Sequence, residues 1–304
     1  MTDFSLQTIE IQTSEDGTRK FLFELEDGNR IETVYMQHRY GGSVCVSSQA
    51  GCSMACAFCA SGLKKKVRDL SSREMLEQIF SVQKYMKEAK SGAFVTHAVV
   101  MGTGEPFDNY ENVLDFCDQI TDQRFLDQCF KVTALAGAEP DLVSALAPRH
   151  ITVSTCGIVP RIYQFAKTPK RYNLAVSLHA PFDELRNRLM PVSRKYRMED
   201  LMRAAEDYCE ATNKRITFEY ILLKDVNDSN DHAEALSRLL SGNEGFYVNL
   251  IPYNSVESLP FKGSDKTRAL LFYDILMKHG IRATLRKERG ADISAACGQL
   301  RLKS

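Results

Sequence analysis

The chain has 304 residues, 44% of them hydrophobic and 26% charged, a balance that suits a globular fold and excludes disordered and fibrous classes. Lysine plus arginine and aspartate plus glutamate stand at 39 each, so no global basic field draws nucleic acid, and any such contact has to be local. No apolar run approaches the ~18 residues of a membrane span. The polar start MTDFSLQT is not a signal peptide, and nine cysteines without an export signal read as reduced thiols in a cytoplasmic protein.

Residues 1–36 alternate apolar and polar side chains, and the DGN at 27–29 between two such runs signals a hairpin, so a small β element opens the chain. Gly41 and Gly42 lead into a short strand over 44–47. The loop that follows, GCSMACAFCASG over 51–62, sets Cys52, Cys56 and Cys59 in a CxxxCxxC spacing. Ser71 and Glu74 then form a capping-box signature before a helix whose apolar positions are Met75, Leu76, Ile79, Phe80 and Met86. Strand-like runs follow at 97–101, 151–154, 174–178, 216–221 and 247–251, with helix-like intervals between them. A further helix over 265–279 stops at Gly280. Six βα units of this kind predict parallel strands joined by right-handed crossovers. The expected fold is therefore α/β, a partial (β/α)6 barrel over 43–288, with the N-terminal β element over 1–42 and a C-terminal extension over 289–304. Chemistry in such barrels sits at the C-terminal ends of the strands, where the candidate residues fall.

Three thiolates on one short loop ligate three irons of a 4Fe-4S cluster and leave the fourth iron open to a small molecule. A zinc ribbon needs a second cysteine pair or a Cys/His complement, and neither is present. In MGTGEP, over 101–106, the glycines let the backbone pass close to a ligand while Glu105 presents a carboxylate at the barrel mouth. GEP alone reads as a turn closed by a solvated glutamate; beside the cysteine loop it reads as part of a site. Cys45, seven residues before Cys52, and Cys297, in AACGQ after the barrel is complete, have no cluster spacing. Each alone reads as a buried thiol, as do Cys117, Cys129 and Cys209.

CxxxCxFC after a short apolar strand resembles the radical S-adenosylmethionine (SAM) superfamily. The run SVCVSSQAGCSMACAFCASG over 43–62 is more narrowly similar to the RlmN/Cfr family of adenosine methyltransferases, and the likeness resumes at MGTGEP, SLHAP (177–181), NLIPYN (249–254) and RGADISAACGQL (289–300). The resemblance implies a methyltransferase acting on C2 or C8 of an adenosine in rRNA or tRNA, with a 4Fe-4S cluster on Cys52, Cys56 and Cys59. It further implies SAM held by Gly104 and Glu105 at its amino group and by Ser154, Ser177, Leu178, His179 and Asn254. An sp2 carbon of adenine offers no lone pair to an ordinary methyl transfer, so the family uses a radical route. One SAM methylates the cysteine matched by Cys297, and a second, cleaved reductively, gives a 5′-deoxyadenosyl radical that takes hydrogen from that methyl group. The thiomethylene radical adds to the base, and the cysteine matched by Cys45 resolves the thioether by forming a disulfide.

Glu32, thirteen residues before Cys45, matches the family's proton acceptor. Arg286, Lys287 and Arg289, and Lys64, Lys65, Lys66 and Arg68 after the cluster loop, read equally as phosphate contacts or as solvated faces. The family reading also implies an electron donor such as flavodoxin or ferredoxin, and a monomer. Family members carry an accessory RNA-binding domain before the stretch that here begins near Asp16, so this chain is expected to lack it. Two alternatives stand beside the leading one: the same mechanism on a non-ribosomal nucleotide, and a catalytically silent iron-sulfur RNA-binding protein.

Overall fold

A computed structural model describes residues 5–89, 94–134, 144–295 and 298–300. Three antiparallel strands open it: β1 (Gln7–Thr13), β2 (Arg19–Glu24) and β3 (Arg30–His38). The β2–β3 turn is the expected one, with Gly28 at φ +78° and the Asp27 carboxylate accepting from the Asn29 N–H. β3 pairs antiparallel with β4 (Gly41–Val46), so the hairpin strands extend the main sheet. After β4, a short ladder of β5 (Gln49–Ala50) with β6 (Arg68–Asp69) closes the base of the cysteine loop.

From β4 onward the sheet is parallel, running through β7 (Val95–Val100), β8 (Ile151–Thr155), β9 (Asn173–Ser177), β10 (Ile216–Leu222), β11 (Phe246–Pro252) and β12 (Ala283–Leu285). β1 and β12 are the two ends of this ten-stranded sheet and do not pair, so the barrel is open. Six of the parallel strands are those expected. β12 is a seventh, three residues long and outside the expectation.

The helices α1 (Ser72–Glu88), α2 (Tyr110–Ile120), α3 (Gln123–Ala134), α4 (Val159–Ala166), α5 (Asp183–Leu189), α6 (Met198–Thr212), α7 (Asn230–Leu240) and α8 (Lys266–Lys278) fall between the parallel strands, α2 with α3 and α5 with α6 each sharing one crossover. Their ends follow local chemistry. Ser71 and Glu74 form the full reciprocal capping box of α1, Asp265 caps α8, and Gly280, at φ +75°, follows its end. Outward strand residues such as Val176, Phe218 and Val248 are buried with Phe165, Tyr208 and Phe272 of the helices in one large core. Each such side chain contributes roughly 1.5–3 kcal/mol of burial. Alternate residues, among them Cys45, Glu219 and Asn249, line the barrel interior instead. No helix among the described residues is long and apolar enough to cross a membrane.

Candidate active site

The cysteine loop lies over the C-terminal ends of the strands. A main-chain bond from Cys52 to Lys64 (3.0 Å) closes it, one from Ala57 to Leu189 at the end of α5 (2.8 Å) holds its middle, and Phe58 meets the His179 ring edge-on at 4.8 Å. Cys52, Cys56 and Cys59 line one cavity of about 130 Å³ together with Gly104, Glu105, Ser154, Ser177 and His179. These eight expected residues, drawn from the cysteine loop and the ends of three strands, therefore share one site. Asn254 lines an adjoining cavity of about 80 Å³ with Cys45 and Cys59. The Leu178 side chain is buried in the core, so it can offer the site only its main chain.

Among the described residues no three His, Cys, Asp or Glu side chains converge closely enough to share a single metal ion. A 4Fe-4S cluster does not require that, since each cysteine holds a different iron. Burial pushes the Cys52 thiol up to about 12 and Cys56 well above its ordinary value, the neighbouring cysteines adding to the shift. Holding a cluster would require these thiols to release their protons on binding iron. Three sulfurs between the apolar walls of Met54, Phe58 and Ile221 fit such a cluster.

Glu105 is fixed from behind. Its carboxylate accepts from Thr155 Oγ1 (2.6 Å) and from the main-chain N–H groups of Cys156 (2.8 Å) and Phe107 (3.0 Å). Burial raises its pKa and these bonds oppose the rise. Gln49 accepts from the Glu105 N–H and donates to Asp69 and Asp108, tying the GEP turn to the cysteine loop. His179, at φ +57°, accepts the Ile221 N–H on Nδ1, and burial and then Arg186 pull its pKa down to about 3. It is a neutral imidazole.

Cys45 sits on β4 directly opposite Val34 of β3. Glu32, two residues along on the same face, pairs with Lys20 at 3.3 Å. Cys297 lies outside the described residues. On either side of it, Ala295 and Gly298 line the cavity that also takes in Cys45 and Cys59, and the Gly298 carbonyl accepts the Ala60 N–H at 2.8 Å. Of the basic residues after the cysteine loop, Lys66 is engaged by Asp69 and Asp108, and Arg68 by Asp27 and Glu74, which leaves Lys64 and Lys65 exposed to solvent.

The radical SAM superfamily model matches residues 46–236. A probable dual-specificity RNA methyltransferase RlmN of Enterococcus faecalis is 49% identical over 300 residues, covering 98% of this chain and 79% of its own length. The chain belongs to the RlmN family of radical SAM proteins. The RlmN relative of Oceanobacillus iheyensis is also 49% identical, over 96% of the chain and 78% of its own length. The crystal structure of a radical SAM methyltransferase from Sphaerobacter thermophilus superposes with a TM-score of 0.88 at 41% identity, over 98% of this chain and 81% of that one. A spore photoproduct lyase matches with a TM-score of 0.53 at 11% identity, over 84% of this chain and 79% of that one, a likeness of fold.

Sequence reasoning missed three residues at this RlmN-family site. Cys156 lines the cysteine cavity, Arg186 is wholly buried behind it, and Glu219 stands in the lumen on β10. Strand-end position marks Cys156 in the sequence; nothing local marks the other two.

Proposed function

We propose that this chain transfers a methyl group to C2 or C8 of an adenosine in rRNA or tRNA, with Cys297 as the methyl carrier. Cys52, Cys56 and Cys59 would hold the 4Fe-4S cluster, while Gly104, Glu105, Ser154, Ser177, Leu178, His179 and Asn254 would hold SAM. When bound, this pair supplies the one-electron chemistry that an unreactive carbon needs, fed by a donor such as flavodoxin or ferredoxin.

The chain's own residues divide the remaining work. The three donors on Glu105 hold its turn rigid, and neutral His179 adds no charge beside a cationic sulfonium. Cys45 is the resolving thiol: its sulfur attacks the Cys297 sulfur of the protein–RNA thioether, and the bond from that sulfur to the RNA-bound methylene breaks. The electron pair leaves with the methylene, which takes a proton, and the two sulfurs remain as a disulfide. Glu32, held by Lys20 on the face beside Cys45, is the candidate acceptor for the proton lost from the base.

The observation that supports this reading best is the shared cavity of Cys45, Cys59, Ala295 and Gly298, which joins the resolving thiol, the cysteine loop and the residues flanking Cys297. Peptide mass mapping of anaerobically purified protein tests it. A methyl group on Cys297 in the wild type and a covalent RNA adduct in Cys45→Ala are expected. Unmodified Cys297 in protein with a loaded cluster would overturn the carrier mechanism.

A further inference from the structure

The barrel interior has a second opening. Below Cys45 and Met101 lies a cavity of about 580 Å³, reached from the N-terminal half of the strands and far larger than the two near the cysteine loop. That volume lies in the range of small-ligand sites. Four cationic side chains line it, Arg215, Arg286, Lys287 and Arg289, against one carboxylate, Glu219. In a chain with no net charge this is a strong local bias.

At the rim, Tyr40 of the β3–β4 turn is 65% exposed. Its ring is nonetheless held: His38 stacks on it at 4.7 Å and 5°, and His97 meets it edge-on at 5.0 Å, itself backed by His150 at 4.4 Å. Burial and the Arg289 and Arg286 charges lower the pKa of His38, which favours its neutral form in the stack. A largely exposed aromatic ring in a cavity that Arg215, Arg286 and Arg289 also line brings together the two elements that single-stranded nucleic acid uses, a stacking face and phosphate partners.

We infer that this cavity takes an unstacked nucleotide of the RNA next to the target adenosine, its base stacked on Tyr40 and its phosphates among Arg286 and Arg289. The inference rests on the RNA methyltransferase reading and adds where the RNA enters. Cys45 borders this cavity as well as the smaller one beside Cys59, so a base displaced through it arrives at the resolving thiol. Aromatic stacking is sequence-tolerant, so it fits a site that positions RNA while the chemistry selects the base.

The test uses the full, cluster-loaded protein and a short RNA hairpin with an unpaired loop adenosine flanked by 2-aminopurine. The dissociation constant and 2-aminopurine fluorescence are measured for wild type, Tyr40→Ala and Tyr40→Phe. SAM cleavage without RNA serves as the control for an intact site. Support is a Tyr40→Ala affinity lower by roughly tenfold with the fluorescence quench lost, Tyr40→Phe close to wild type and SAM cleavage unchanged. Wild-type affinity and quench in Tyr40→Ala would overturn the stacking site while leaving the RNA reading intact. A wild-type protein that binds no RNA hairpin would overturn the RNA reading and the inference with it.

Discussion

Arg186 carries a guanidinium that is wholly buried, donating to the main-chain carbonyls of Cys156 (2.7 Å), Ser177 (3.2 Å) and Leu178 (3.3 Å), while Nη1 has no hydrogen-bond partner among the described residues. Cys156 and Cys56, ahead of Asp183, are the groups whose negative charge would steady it. A buried cation is costly until it is compensated, and cluster thiolates would compensate it. Arg186→Met is therefore expected to shift the midpoint potential of the reconstituted cluster negative by roughly tens of millivolts, with Arg186→Lys closer to wild type. Equal potentials in all three proteins would show that the charge serves only the carbonyls.

Glu219 poses the opposite problem. Burial pushes its carboxyl up to about 7 from an ordinary 4.5, against the pull of Arg286 and the Asn249 side-chain donor at 2.8 Å. Between those values the folded state keeps a proton that the unfolded state has lost, so stability falls as pH rises from about 4.5 to 7 and is level above. Relative to Glu219→Gln, the wild type should lose about 3 kcal/mol across that window, read from denaturant midpoints at several pH values. Parallel pH profiles would mean that Glu219 ionises freely in the lumen.

At the scale of elements, the loop after β7 depends on close backbone contact. A Cβ on Gly102 would stand 2.6 Å from Ser47 Oγ, 2.7 Å from the Ser47 nitrogen and 2.8 Å from the Val46 carbonyl carbon, and two of those three are main-chain atoms of the β4 end that cannot swing aside. Gly102→Ala should destabilise by roughly 1–3 kcal/mol and displace the GEP turn, so thermal melts and SAM affinity should fall together. A neutral effect on both would show that the β4 end yields. This glycine lies in a motif the sequence displays openly, and so do the six main parallel strands, because buried parallel strands read as continuous apolar runs and their helices carry explicit caps. β12 was not legible: three residues on an outer strand leave too short a pattern. Arg186 and Glu219 were not legible for another reason. An arginine in a short helix and a glutamate in a strand look like surface residues until the tertiary fold buries them. Lys66 and Arg68 show the converse, a charge run that reads equally as phosphate contacts or a solvated face and is engaged by Asp27, Asp69, Glu74 and Asp108.

At the scale of the molecule, the segment after β12 sews two distant regions together. On one side of Cys297, the Asp292 carboxylate accepts from Ser14 Oγ (2.6 Å) and the Glu15 N–H (3.2 Å), and the Gly290 N–H donates to Asp16 (3.2 Å), all in the β1–β2 turn. On the other side, the Gly298 carbonyl accepts from Ala60, the Leu300 carbonyl from Ser61 Oγ (2.9 Å), and Gln299 donates to the Ser255 carbonyl (3.2 Å). If Cys297 carries the methyl group as proposed, it has to meet Cys45 and a substrate base in turn, and anchors on both sides of it would keep its reach short. On that proposal the N-terminal hairpin would act on the chemistry through the segment it holds, although it lines no part of the cysteine cavity. A chain cut after Glu288 loses both sets of bonds, and Asp292→Ala loses only the two hairpin bonds that its carboxylate accepts. Hydrogen exchange is expected to quicken at residues 14–18 in both variants and at residues 60–62 in the cut chain alone. If the cut chain protects 60–62 as well as the full chain does, the cysteine loop is held by Leu189 and Lys64 without help from the C-terminal segment.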